Sequence, residues 1–146
     1  MFVRILKIKL FFLLLGWFFI LPVNADTVVI AHPTVGVKQV SSTFLSRVYA
    51  MQIKTWPNGV PIKVYSFSTQ TPQYTEFVSQ KAKLQPHQLN RHCKRLLFTG
   101  TSRVPITVDS SSEMIEKVRN NPGAIGYVDF SSIPADLKVC NGQVKL

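Results

Sequence analysis

A chain of 146 residues with 46 % hydrophobic and 16 % charged residues is long enough for one globular domain and too short for two of ordinary size. Its formal charge of +10, from 17 basic and 7 acidic side chains, would ordinarily point to nucleic acid, but a mean hydropathy of +0.15 does not suit a nucleic-acid module. The first quarter of the chain supplies the apolar excess.

There, Arg4, Lys7 and Lys9 precede the uncharged run Leu10 to Leu21, which Pro22-Val23-Asn24-Ala25 follows. The pattern predicts a secretory signal peptide over residues 1–25, cleaved after Ala25. Its apolar run falls short of the roughly 20 residues that span a bilayer, and Val23 and Ala25 are small residues of the kind a leader peptidase takes. An uncleaved anchor would need Lys7 and Lys9 to snorkel out of the membrane. Residues 26–146 then form one domain of 121 residues, and since three basic residues and no acid leave with the leader, its charge is +7. A periplasmic or secreted location excludes nucleic acid as a partner and favours small anions, anionic polymers or lipid head groups. In that compartment Cys93 and Cys140 are candidates for a disulfide closing a loop of about 48 residues, for which the chain-entropy estimate is about 4 kcal/mol. The competing reading buries Cys93 on an apolar helix face and leaves Cys140 unpaired near the chain end.

Asp26 to Ala31 is a short β-branched run ended by His32-Pro33 and reads as a buried first strand. Ser41 and Ser42 offer hydroxyl caps for a helix with Phe44, Leu45, Val48 and Met51 at helical spacing, and Trp56-Pro57-Asn58-Gly59 turns the chain. Pro61 to Phe67 alternates as a second strand, with Ile62, Val64 and Ser66 on one face. A helix with Tyr74, Phe77 and Val78 as its stripe starts at Pro72, and another, with Leu89, Cys93, Leu96 and Leu97, at Pro86. Val104 to Val108 is strand-like; Ser110 with Glu113 makes a capping box for a helix bearing Met114, Ile115 and Val118. Asn121-Pro122-Gly123 stops that helix, Ala124 to Val128 is a buried strand, and the tail around Asn141-Gly142 predicts a hairpin. Strands alternating with helices indicate an α/β architecture containing parallel pairs.

Three stretches, VYAMQIKTWP (48–57), RLLFTG (95–100) and NPGAIGYV (121–128), resemble in order and spacing the phosphate-type substrate-binding proteins of ABC transporters, a branch of the periplasmic binding protein superfamily. The likeness covers about residues 27 to 130. It implies a single binding-protein lobe, a mixed, mostly parallel sheet with helices on both faces, since two lobes would need roughly twice the chain. It also implies a small oxyanion such as phosphate, held by loop hydroxyls and helix-start N–H groups, and a link to phosphate transport. The loops that fit carry Ser41, Ser42 and Thr43, and Ser68, Thr69, Gln70 and Thr71. At the second loop the family's phosphate binders have an arginine and a Ser-Gly-Thr before a helix. Here Ser66-Phe67-Ser68-Thr69-Gln70-Thr71-Pro72 keeps the hydroxyls without the arginine or the glycine, which removes a bidentate anion contact, and Pro72 deletes one helix-start N–H. The same hydroxyls also suit ordinary capping. A lone lobe cannot close over its ligand, so a membrane permease, a sensor or a second copy of the chain are the candidate partners, and the alternative function is an interaction or sensory module that has lost its ligand.

No catalytic or metal constellation stands out. His87 and His92 lie five apart, about 140° around a helix, rather than on one face. Adjacent helical residues such as His92 and Cys93 point apart, and no GxSxG, HExxH, CxxC or Walker pattern occurs. The sequence therefore predicts neither an enzyme nor a cofactor. Lys81, Lys83, Arg91, Lys94, Arg95 and Arg103 form a basic cluster that reads as a solvated face or an anionic docking surface.

Overall fold

The computed structural model describes residues 26–37, 39–100 and 103–134, so the leader over 1–25, Cys140 and the tail hairpin lie outside the described residues. Within them, strands β1 (Thr27–Ala31), β2 (Lys63–Phe67), β3 (Ile106–Val108) and β4 (Ala124–Asp129) form a sheet in the order β1-β4-β2-β3. The helices are α1 (Ser42–Tyr49), α2 (Pro72–Glu76), α3 (Pro86–Phe98) and α4 (Ser111–Asn120), and a π-helical turn, Phe77–Lys81, continues α2. Strand β2 pairs in parallel with β3 and β4, whereas β1 runs antiparallel to β4, with Thr27 opposite Asp129 and Ala31 opposite Ile125. The architecture is the expected α/β lobe with a mixed, mostly parallel sheet.

Successive strand residues point to opposite faces, and β4 shows what covers each. Gly126 lies under α4, where an added Cβ would sit 2.5 Å from Met114 Sδ and 3.2 Å from Val118 Cγ2. Tyr127 points the other way, with its ring centroid 3.8 Å from that of Phe77 and 5.9 Å from that of Tyr49. Helix α4 thus covers one face, and α1 with the π turn covers the other. Double coverage explains why β2 departs from the predicted alternation: Val64, Tyr65, Ser66 and Phe67 are all buried, because a strand between two helical layers has no solvent side.

The helix starts follow the sequence closely. Ser41 Oγ accepts from Phe44 N at 3.1 Å, Thr71 Oγ1 from Tyr74 N at 3.3 Å, and Ser110 Oγ from Glu113 N at 3.1 Å. The return bond of the capping box shifts by one residue, since Glu113 Oε2 accepts from Asp109 N at 2.9 Å. Helix α3 departs from its predicted apolar stripe. Of Leu89, Cys93, Leu96 and Leu97 only Leu89 is buried; Leu97 is 59 % and the neighbouring Phe98 90 % exposed. A cavity between this helix and the β2–β3 edge leaves its last turns little of the sheet to bury against.

Candidate functional site

The two hydroxyl loops stand at opposite ends of the sheet. Because β1 is antiparallel to β4 and β4 parallel to β2, the chain leaving Ala31 toward Ser41, Ser42 and Thr43 departs beside Ile125, next to Ala124 and Lys63. The loop Ser68 to Thr71 leaves the other end, at the carboxyl terminus of β2. The start of α1 stays at the first end: Phe44 stacks on Trp56 at 5.4 Å, and the Trp56 indole N–H donates to Gly123 O at 2.9 Å. One small oxyanion therefore cannot touch both loops, and the Ser41 hydroxyl is already occupied as the cap of α1.

In the second loop Thr71 is likewise committed, donating to Ser68 O at 2.8 Å while it caps α2. Three side chains remain available. The Ser68 and Thr69 hydroxyls and the Gln70 amide make no side-chain hydrogen bond among the described residues, and Thr69 and Gln70 are exposed. Oriented donors at the carboxyl end of a parallel strand can hold an acceptor-rich ligand without any catalytic group.

A closed ring of hydrogen bonds fixes the strand end beneath this loop. Ser66 Oγ donates to Phe67 O at 3.1 Å, which leaves Tyr127 Oη to donate to Ser66 Oγ at 3.0 Å while accepting from Phe67 N at 3.1 Å. Burial pushes the Tyr127 phenol up to about 12 against the opposing pull of the Ser66 and Phe67 hydrogen bonds. Burial and then Tyr127 raise Tyr49, whose hydroxyl donates to Tyr65 O at 3.0 Å. A phenol that titrates later in the native state than its unfolded value of about 10 keeps its proton preferentially in the fold between those values. Stability is then complete below about pH 10 and falls as pH rises toward 12, for Tyr127 by roughly 2–3 kcal/mol. Urea midpoints from pH 9 to 12 should show that fall, and Tyr127→Phe should lessen it, the remainder belonging to Tyr49, Tyr65 and Tyr74, which burial also raises.

Beside the loop lies a cavity of about 220 Å³ that the sequence did not disclose, between α3, α2 and the β2–β3 edge. Thr69 belongs to both loop and cavity. Asn90, Cys93 and Lys94 of α3 reach it, as does Tyr74, whose hydroxyl donates to Asn90 Oδ1. Burial pushes the Tyr74 phenol and the Cys93 thiol up. The i, i+4 spacing of Asn90 and Lys94 was a legible signal that they share a helix face. Among the described residues Cys93 is a half-buried thiol without a bridge, and its candidate partner Cys140 lies outside them.

The basic cluster is reduced by one, because Lys81 pairs with Asp26 at 2.9 Å; Lys83, Arg91, Lys94, Arg95 and Arg103 are exposed. His92 Nε2 meets Ala50 O at 3.0 Å and ties α3 to the end of α1, while His87 faces solvent. Among the described residues no three His, Cys, Asp or Glu side chains gather into a metal site, and no helix is long and apolar enough to cross a membrane.

Residues 17–142 match the family described as the PBP superfamily domain. A search of curated proteins returned no match. Among solved structures, one assigned as a phosphate ABC transporter substrate-binding protein with bound phosphate, from Clostridium perfringens, superposes with a TM-score of 0.61 at 20 % identity, over 77 % of this chain and 43 % of that one. An ABC-type phosphate transport receptor from Vibrio cholerae gives 0.57 at 17 % identity, over 77 % and 44 %. PstS from Borrelia burgdorferi gives 0.51 at 18 %, over 71 % and 40 %. At these identities the likeness is one of fold, and the chain spans less than half the length of each of these structures.

Proposed function

The chain belongs to the PBP superfamily domain family, and from that premise we propose that it is an exported solute-binding lobe that holds phosphate or a related oxyanion and works beside an ABC-type permease. The observation that carries this reading is the Ser68 to Thr71 loop at the carboxyl end of the central parallel strand, where open α/β sheets bind ligands. Ser68, Thr69 and Gln70 donate to the anion, Thr71 holds the turn, and Ser41, Ser42 and Thr43 serve only the start of α1. The reading assigns no catalytic step. Three neutral donors to an anion, at about 1.5 kcal/mol each and with no arginine among them, give about millimolar affinity on one open lobe. Calorimetric titration with phosphate and sulfate tests it. Thr69→Ala is expected to raise Kd about 5- to 10-fold, whereas Ser41→Ala should lower stability by about 1 kcal/mol and leave Kd unchanged. A folded sample silent toward both anions at tens of millimolar sinks the reading.

A second reading is favoured by Leu97 and Phe98, exposed side by side at the end of α3: the lobe docks through this apolar patch on a membrane component or a second copy. Sedimentation equilibrium of the wild type against Phe98→Asp tests the second copy; an unchanged monomer in both removes it.

A further inference from the structure

The cavity beside the oxyanion loop has a chemistry of its own. Phe67, Leu89, Leu97, Val104 and Pro105 make most of its wall apolar. The polar groups that reach it and remain unspent among the described residues can all donate: the Thr69 and Thr107 hydroxyls, the Lys94 ammonium, the Cys93 thiol, and Asn90 Nδ2, since Asn90 Oδ1 already accepts from Tyr74. No carboxylate is among its described lining residues. An apolar bowl rimmed by unspent donors and one cation complements a hydrocarbon body with an oxyanionic head. Its volume of about 220 Å³ exceeds the ~150 Å³ that holds a benzene in an apolar cavity and falls below the ~300 Å³ at which sites for drug-sized ligands begin.

We propose that this cavity binds a small organic oxyanion, a phosphonate or carboxylate bearing an aryl or short alkyl group, with its head at Thr69, Asn90 and Lys94 and its body against Leu89 and Phe67. The proposal rests on the oxyanion reading for the charge of the ligand and sharpens its class: inorganic phosphate uses the Ser68 to Gln70 donors alone, whereas an organic anion seated from Thr69 gains Lys94 and the apolar wall as well.

The test titrates the protein with phenylphosphonate, inorganic phosphate and the neutral benzyl alcohol, by calorimetry and chemical-shift perturbation. Phenylphosphonate is expected to bind at least tenfold more tightly than phosphate. Lys94→Met should weaken phenylphosphonate fivefold or more and leave benzyl alcohol unaffected. Thr107→Phe, placed to fill the cavity from the exposed edge strand, should erase the advantage of phenylphosphonate over phosphate. Leu97→Gln, at a site already exposed, should reduce the same advantage and serves if Thr107→Phe does not fold. Equal affinities for the two anions overturn the cavity site and leave the oxyanion loop standing. Silence toward both anions overturns both. Benzyl alcohol binding as tightly as phenylphosphonate, with Lys94→Met silent, overturns the head-group assignment and with it the proposal.

Discussion

Gly123→Ala is expected to destabilise the domain by about 3 kcal/mol or more, a large share of the 5–15 kcal/mol typical of a domain. Two effects add. Gly123 has φ +78°, a conformation that costs an alanine about 1–2 kcal/mol. Its added Cβ would then lie 2.1 Å from Pro61 O and 2.9 Å from Val60 Cγ1. The first of these is backbone leading into β2, so it cannot swing away as a side chain would. Gly123 O also accepts from Lys63 N at 3.1 Å and from the Trp56 indole, so moving the glycine disturbs the β2–β4 junction and the Trp56 anchor together. Gly59→Ala is the internal control: its φ is +83° but nothing lies within 4 Å of an added Cβ, so only the conformational cost of about 1–2 kcal/mol applies. Urea unfolding followed by circular dichroism compares the two. Costs within about 0.5 kcal/mol of each other would show that the approach to Pro61 is not the constraint.

The same junction shows how far the sequence could be read. NPGAIGYV announced the helix stop at Gly123 and the buried strand after it, and both are present; the close approach of α4 at Gly126 has the same local logic, because a glycine between apolar strand residues has few other reasons to be there. The caps at Ser41 and Ser110 and the Pro72 helix start were legible for the same local reason. Strand direction was not. The run TVVIA buries equally well parallel or antiparallel, since alternation of side chains carries no sense of direction, and the antiparallel pairing of β1 is what sends the Ser41 loop to the far end of the sheet. The π turn at Phe77 was hidden because a five-residue stretch is too short to separate its wider period from an α-helical one. The exposure of Leu97 and Phe98 depends on the gap between α3 and the β2–β3 edge, which no local pattern announces. Thr69 could be named from the sequence, whereas the cavity it shares with Asn90 and Lys94 exists only once α3 has packed against β2 and β3.

Trp56→Ala is expected to cost about 3–5 kcal/mol, the range for removing a fully buried aromatic. The residue is 2 % exposed, packs on Phe44 at 5.4 Å and donates its indole N–H to Gly123 O, so truncation opens a void between α1 and the start of β4 and removes a buried hydrogen bond. Trp56→Phe separates the two losses. It keeps most of the ring volume, and Gly123 O still accepts from Lys63 N, so the cost should fall to about 1–2 kcal/mol. Thermal melts by circular dichroism read both variants, and equal costs would mean that the hydrogen bond rather than the packing dominates. Because Trp56 anchors the end of the sheet opposite the Ser68 to Thr71 loop, neither variant should alter the affinity of the folded fraction for phosphate. A change in Kd at constant folded fraction would show that the two ends of the sheet are coupled, and would put the Ser41 loop back into the binding site.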